Sequence, residues 1–261
     1  MATFLLEIGT EELPADFARL ALPQLQDIAA ASLAEQRLPH RSLEVTSTPR
    51  RLVVRVEGLA AEQQEARQEH KGPPAQQAFR DGQPTPAAVG FARRCGIDPT
   101  QLEVRDTPRG PFVFATTVAA GRPTAAVLAE LVPNWINALQ GRRFMRWGQG
   151  ERRFSRPIRW LVALLDAAVV PIQLNDCDPP LSSDRYSRSH RLYGEPRNAE
   201  ASSAEQSTGH GQGTEVEIPE ASAYSDRLAA AGVLVERQQR AALIRRGCQR
   251  RRSSRSARQP V

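Results

Sequence analysis

The sequence predicts an α+β fold: mixed and antiparallel sheets built from hairpins, a few packing helices, and a disordered basic C-terminal tail. Three observations carry this. Short runs rich in β-branched and apolar residues, bounded by Pro and Gly, recur over the first 175 or so residues. Helical periodicity occurs in only a few stretches between them, without the regular strand–helix alternation of a parallel sheet. The last stretch, 245–261, holds seven arginines and no acid, a composition that cannot build a core.

Taken in order, residues 3–8 (Thr-Phe-Leu-Leu-Glu-Ile) read as a strand ended by Gly9. Thr10-Glu11-Glu12 with Pro14 starts a helix. Phe17, Leu20, Leu25, Ile28 and Leu33 continue it at helical spacing to about Arg37, with Pro23 expected to kink or divide it. Residues 43–47 and 51–58 are two strands joined by Thr48-Pro49-Arg50. The polar segment 61–86 contains a turn at Lys71-Gly72-Pro73-Pro74, and 86–95 is a short helix. Residues 102–106 and 111–118 form a hairpin across Thr107-Pro108-Arg109-Gly110. A helix at about 123–140 precedes a hairpin through Gly148-Gln149-Gly150. A buried strand at 158–165, a turn at Asp166-Ala167 and a strand at 168–174 follow. Residues 194–214 hold no large apolar side chain and read as a disordered linker or insertion. Residues 219–244 are helical again, with Ala223, Leu228, Ala231, Val235 and Leu243 available for burial and Gly232 separating two helices.

Composition excludes several classes. No apolar run approaches the roughly 18–20 residues needed to span a bilayer, and the N-terminus lacks the pattern of a signal peptide. Cys95, Cys177 and Cys248 are far apart, in no zinc-like spacing, and fit a reducing cytosol. The net charge of +6 belongs to the tail: without its seven arginines, 28 bases face 29 acids, a net of −1. Of the 35 basic residues only Lys71 is lysine. That bias points to GC-rich coding DNA, so the tail is either a basic arm that binds RNA or an out-of-frame end with no selected function. The second is the preferred reading.

No catalytic machinery is legible. There is no Gly-rich phosphate loop, no GxGxxG after a strand, and no HExxH, GxSxG or paired-Cys motif. His40, His70, His190 and His210 stand singly. Glu11-Glu12 is explained by the preference of helix N-termini for acids. The expectation is no catalytic residue and no metal ligand in this chain. The informative stretch is 142–160, with seven arginines against one acid, Glu151, and the tryptophans Trp147 and Trp160. Guanidinium forks onto phosphate and indole offers a stacking face. On the residues alone the preferred reading is a solvated or subunit-facing surface, with arginine over tryptophan as an intramolecular cation–π contact.

Three segments together resemble the beta subunit of bacterial tetrameric glycyl-tRNA synthetase. They are Leu5-Leu6-Glu7-Ile8-Gly9-Thr10-Glu11-Glu12-Leu13-Pro14; Thr48-Pro49-Arg50-Arg51-Leu52-Val53-Val54, with Lys71-Gly72-Pro73-Pro74 and Gly90-Phe91-Ala92-Arg93 after it; and Met145-Arg146-Trp147-Gly148 with Phe154-Ser155-Arg156-Pro157-Ile158-Arg159-Trp160-Leu161-Val162-Ala163-Leu164. The match covers about 3–193 and resumes near 215–244. The resemblance implies an alpha-two-beta-two ligase that couples ATP, glycine and glycine tRNA in the cytoplasm. The alpha subunit carries out the chemistry and uses the ATP; the beta subunit binds no cofactor itself and holds the tRNA and the alpha subunits. Arg50, Arg51, Arg142, Arg143, Arg146, Trp147, Arg152, Arg153, Arg156 and Arg159 are then the candidates for a surface facing tRNA or the alpha subunit.

Departures from the family accompany the match. The family's chain is more than twice as long, with an HD-type domain and a C-terminal anticodon-binding region not seen here. Ser189 stands where the family usually has Gly before His190-Arg191. The expected organisation is an N-terminal region 1–193, a linker or insertion 194–214, a helical start of the next family region at 215–244, and the Arg/Ser tail 245–261, as in a truncated or frameshifted copy. The alternatives to a ligase subunit are a free-standing RNA-binding fragment and an inactive remnant.

Overall fold

The computed structural model describes residues 1–80, 82–191 and 213–256, the last eight of these by backbone alone. Most of the 194–214 segment and the last five residues of the tail lie outside the described residues. Along the chain, β1 (Ala2–Thr10), α1 (Ala15–Glu35), β2 (Ser42–Thr48) and β3 (Arg51–Leu59) come first. Next are β4 (Ala66–Pro74), α2 (Ala75–Ala78), β5 (Phe79–Arg80), β6 (Gln83–Pro84), α3 (Pro86–Cys95), β7 (Glu103–Thr107) and β8 (Gly110–Ala119). Then follow α4 (Thr124–Ala138), β9 (Ile158–Leu165), β10 (Ala168–Val169), β11 (Gln173–Leu174), β12 (Leu181–Ser182), β13 (Tyr186–Arg188), β14 (Glu215–Glu217), α5 (Tyr224–Ala230) and α6 (Arg237–Ser256). The α+β class holds, with antiparallel pairing in every sheet. The described residues fall into two compact units, Met1–Ala61 with Pro123 onward, and Glu62–Arg122.

The first unit is built on a sheet of order β10-β9-β1-β3-β2. β1 is central, and its residues from Phe4 through Ile8 are fully buried. A strand buried on both faces reads as a continuous apolar run rather than an alternation, which is why Phe4-Leu5-Leu6 is unbroken. Phe4, Leu6 and Ile8 meet Leu52, Val54 and Val56 of β3 and the buried sides of α1 and α4 on one face. Leu5, Val53, Trp160, Val162 and Leu164 turn to the other, which Ile218, Ala221, Tyr224, Leu228, Val233 and Val235 cover.

α1 runs unbroken through Pro23, contrary to the kink or division expected there. Pro23 is on the exposed side, while Phe17, Ala21, Leu25, Ala29 and Leu33, four apart, anchor both halves to the core. The strand expected at 168–174 is two short strands in different sheets, because Pro171 between them has no N–H to give a ladder. The hairpin expected at 148–150 is a turn closed by one bridge, Met145 to Phe154. Past Gly232, whose φ is +79°, α6 carries on to Ser256 across most of the stretch expected to be disordered. Arg, Gln and Ala favour helix, but Leu243 is 60 % exposed rather than buried.

The second unit is a three-stranded sheet of order β4-β8-β7 with α2 and α3 on one face. Lys71-Gly72-Pro73-Pro74, read as a turn, lies at the end of β4, where the register with β8 shifts between Lys71 and Pro74. Among the described residues no helix is long and apolar enough to cross a membrane.

Candidate nucleic-acid interface

Parts of the three segments that carry the resemblance, residues 5–10, 51–54 and 158–164, lie side by side in β1, β3 and β9 and meet at one buried carboxylate. Glu7, fully buried in β1, accepts from Arg51 Nε at 3.2 Å and from Ser187 Oγ at 2.7 and 2.9 Å. Trp160 Nε1 and the Tyr224 hydroxyl also donate to it. A charge this deep persists only when paired and fully hydrogen-bonded, and four donors meet that need. Burial, then the neighbouring Glu7, raises the Tyr224 hydroxyl well above the ordinary tyrosine range and keeps it a donor. Gly9 makes room: a Cβ there would fall 1.9 Å from Trp160 Cε2.

Two candidates are buried, one in this knot and one apart from it. Arg51 is 4 % exposed, donates to the Arg188 carbonyl at 2.7 Å as well as to Glu7, and packs over Trp160. Arg152 is 5 % exposed and holds Asp176 at 2.7 Å and Asn137 at 2.7 Å. Both guanidiniums are used inside the molecule and present no face to a partner. Sequence spacing could not separate them from their neighbours, since each sits beside another arginine.

The other candidates divide by what they touch. Arg50 lies half-buried over Trp160 at 5.6 Å, its pKa lowered by burial against the pull of Glu11. Arg159 is exposed but paired with Glu11 at 2.8 Å. Arg156 donates to the neighbouring Ser155 carbonyl at 2.8 Å, and Trp147 packs on the main core. Arg142, Arg143, Arg146 and Arg153 are exposed, and among the described residues they form no ion pair, side-chain hydrogen bond or ring contact.

Local packing explains why these four point outward. Phe17, Phe144 and Phe154 form an aromatic cluster with centroids 5.4–5.8 Å apart, Phe17 edge-on to the other two. The chain at Gly141 presses against it, since a Cβ there would meet Phe144 at 2.4 Å and Phe17 at 2.9 Å. That approach leaves Arg142 and Arg143 on the outer side, lining two neighbouring clefts of about 370 and 730 Å³. Beyond it, alternation sends Arg152 and Phe154 in and Arg153 out. The Met145–Phe154 bridge sets Arg146 next to Arg153 across the turn. Like charges in that arrangement repel, and an anion between them removes the repulsion.

A third cleft, of about 490 Å³, was not foreseen as a site. It brings Arg50 and Arg51 together with His190, Arg191 and Arg240. Arg240 donates to the carbonyls of Ser47, at 2.8 Å, and Leu234, at 2.7 Å, and Arg191 pairs with Glu12 at 2.7 Å. These residues are about 140 to 190 positions from Arg50 in sequence, and no local pattern joins them. Ser189, at the position where Gly was expected, is 5 % exposed; its Oγ accepts from the Thr214 N–H at 2.9 Å.

A family model described as glycyl-tRNA synthetase beta subunit matches residues 4–259. The chain belongs to that family. The matched span runs across 194–214 and into the Arg/Ser tail. Among relatives, the glycine–tRNA ligase beta subunit of Synechocystis sp. is 46 % identical over 244 residues, 94 % of this chain and 31 % of the relative. That of Acaryochloris marina is 52 % identical over 192 residues, 74 % and 27 %. That of Moorella thermoacetica is 40 % identical over 239 residues, 91 % and 31 %. The chain thus spans about a third of the length of the curated relatives it matches.

Proposed function

We propose that the chain serves as beta-subunit material of a cytoplasmic glycine–tRNA ligase. It supports ATP-dependent attachment of glycine to glycine tRNA by holding the tRNA and docking the alpha subunit. The chemical step and the ATP belong to the alpha subunit. The observation that carries this reading is the turn bearing Arg142, Arg143, Arg146 and Arg153, four exposed and internally unpaired guanidiniums in a member of this family. Phosphate is the anion that a tRNA brings to such a surface, and guanidinium binds it bidentately.

The test is co-expression with a cognate alpha subunit, size-exclusion chromatography, and glycine charging by the pooled complex. Co-elution with charging is the expected result. On the same preparation, log K for tRNA against log salt should fall with a slope of about −0.7 to −0.9 per phosphate contact. The variant Arg142→Gln/Arg143→Gln/Arg146→Gln/Arg153→Gln should flatten that slope by about 3 if all four contact phosphate. An unchanged slope removes the turn from the interface. Salt-sensitive RNA binding without co-elution points instead to a free-standing RNA-binding fragment, and neither activity points to an inactive remnant.

A further inference from the structure

Among the described residues, the second unit's helices pack on one face of its sheet and leave the other without one. β8 is its central strand. Val113 and Ala115 turn to the helical side and form a small core with Ala78, Ala88 and Phe91. Alternation therefore turns Phe112, Phe114, Thr116 and Val118 to the opposite face. On that face the register sets Lys71 beside Phe114, Arg105 beside Phe112, Glu69 beside Thr116 and Arg67 beside Val118. Lys71 Nζ sits 3.7 Å from the Phe112 centroid, and the Arg105 guanidinium 5.5 Å from that of Phe114. Neither ring belongs to an apolar core among the described residues, and Val118 is 54 % exposed.

Both phenyl rings are part-buried, and what lies over them is a cation rather than an apolar side chain of those cores. Their placement has a chemical use. Aromatic side chains in a row along a sheet strand stack successive unpaired bases, and flanking cations take the phosphates. Alternate residues of a strand are about 6.8 Å apart, leaving each ring room for its own base. Charge sorts the cations into two kinds. Arg105 is already neutralised by Glu69 and Glu103, both at 2.6 Å. Lys71 and Arg67 form no ion pair among the described residues. Lys71 is also the one lysine among 35 basic residues. Its flexible stem lets the ammonium rest on the Phe112 ring and swing to a phosphate when a base takes its place.

We propose that this face is a stacking platform for unpaired RNA nucleotides, with Phe112 and Phe114 receiving bases and Lys71 and Arg67 receiving phosphates. The proposal rests on the ligase reading and adds a second contact of different chemistry: the arginine turn responds to phosphate charge, the platform to bases free of a duplex.

The full 261-residue chain is titrated into a labelled unpaired 12-nucleotide RNA and a 12-base-pair RNA duplex. Phe112→Leu and Phe114→Leu should each weaken the unpaired RNA by about tenfold, as loss of one stacked base does, and leave the duplex within about twofold. The four-arginine variant of the turn should weaken both ligands. Ultraviolet cross-linking of the wild-type chain to the unpaired RNA, with peptide mapping, should place adducts on β8, and this holds even if a leucine variant does not fold. Unchanged affinity in both leucine variants, no adduct on β8, or no RNA binding at all overturns the platform. So does hydrogen-exchange protection of β8 by a co-purified alpha subunit in place of RNA adducts. Loss of binding only in the arginine variant overturns the platform and leaves the ligase reading intact. Adducts on β8 without glycine charging keep the platform and count against that reading.

Discussion

Replacing Glu7 by Gln keeps the shape of the buried side chain and removes its charge. Arg51, 4 % exposed, then loses the one carboxylate it pairs with among the described residues. Trp160, Ser187 and Tyr224 are left to share one carbonyl oxygen and face an amide NH₂ that donates as they do. Breaking a buried ion pair from one side costs about 3–5 kcal/mol. That is a large part of the roughly 5–15 kcal/mol typical of a whole domain, and for a unit of this size it lowers Tm by about 10 °C. Urea unfolding followed by tryptophan fluorescence is the assay, because Trp135, Trp147 and Trp160 all lie in the first unit and report on it alone. The double variant Glu7→Gln/Arg51→Met strands no charge, so it should lose less than the sum of the two single losses by at least about 1 kcal/mol. A loss under about 1 kcal/mol for Glu7→Gln, or simple additivity in the double variant, would refute the reasoning.

Gly9→Ala should also destabilise, since its Cβ falls within 2.4 Å of three Trp160 ring atoms and overpacking costs about 1–3 kcal/mol or more. Soluble yield and a thermal melt decide it, and a melting curve that overlays the wild type would count against the close approach. Burial pushes the Cys177 thiol up to about 11 from the ordinary 9.0. The unfolded chain then ionises first as pH rises. Stability is whole below about pH 9 and falls between 9 and 11, by roughly 2–3 kcal/mol from this group. Tyr224, raised by burial and Glu7, adds to the fall above about pH 10. Urea unfolding at pH 9 and 10 should show a shallower decline for Cys177→Ala, and identical declines would remove the thiol as the cause.

Strands with strong apolar signatures were legible in the sequence: β2, β3, β8 and β9 lie within about two residues of the expected bounds. β4 was not, because Arg67-Gln68-Glu69-His70 carries no alternation. It is an edge strand, held by backbone pairing to β8 rather than by a buried side. Local pattern also could not tell which of two adjacent arginines turns inward. At 50–51 and 152–153 the answer comes from Glu7 and from Asp176, residues distant in sequence. The quoted segments did contain Glu7, Arg51 and Trp160, but their meeting depends on β1 pairing with both β3 and β9. Ser187 and Tyr224 of the same knot had no sequence signal.

The central position of β1 has a consequence for synthesis. Its β3 partner emerges from the ribosome soon after it, but β9 follows only about 150 residues behind Thr10. At roughly 5–20 residues per second, one edge of the most apolar strand waits about 8–30 s for its neighbour. The cover supplied by residues 218–235 arrives later still. Over that interval the nascent chain shows an open edge and an uncovered apolar face, the two features most prone to pairing with another chain.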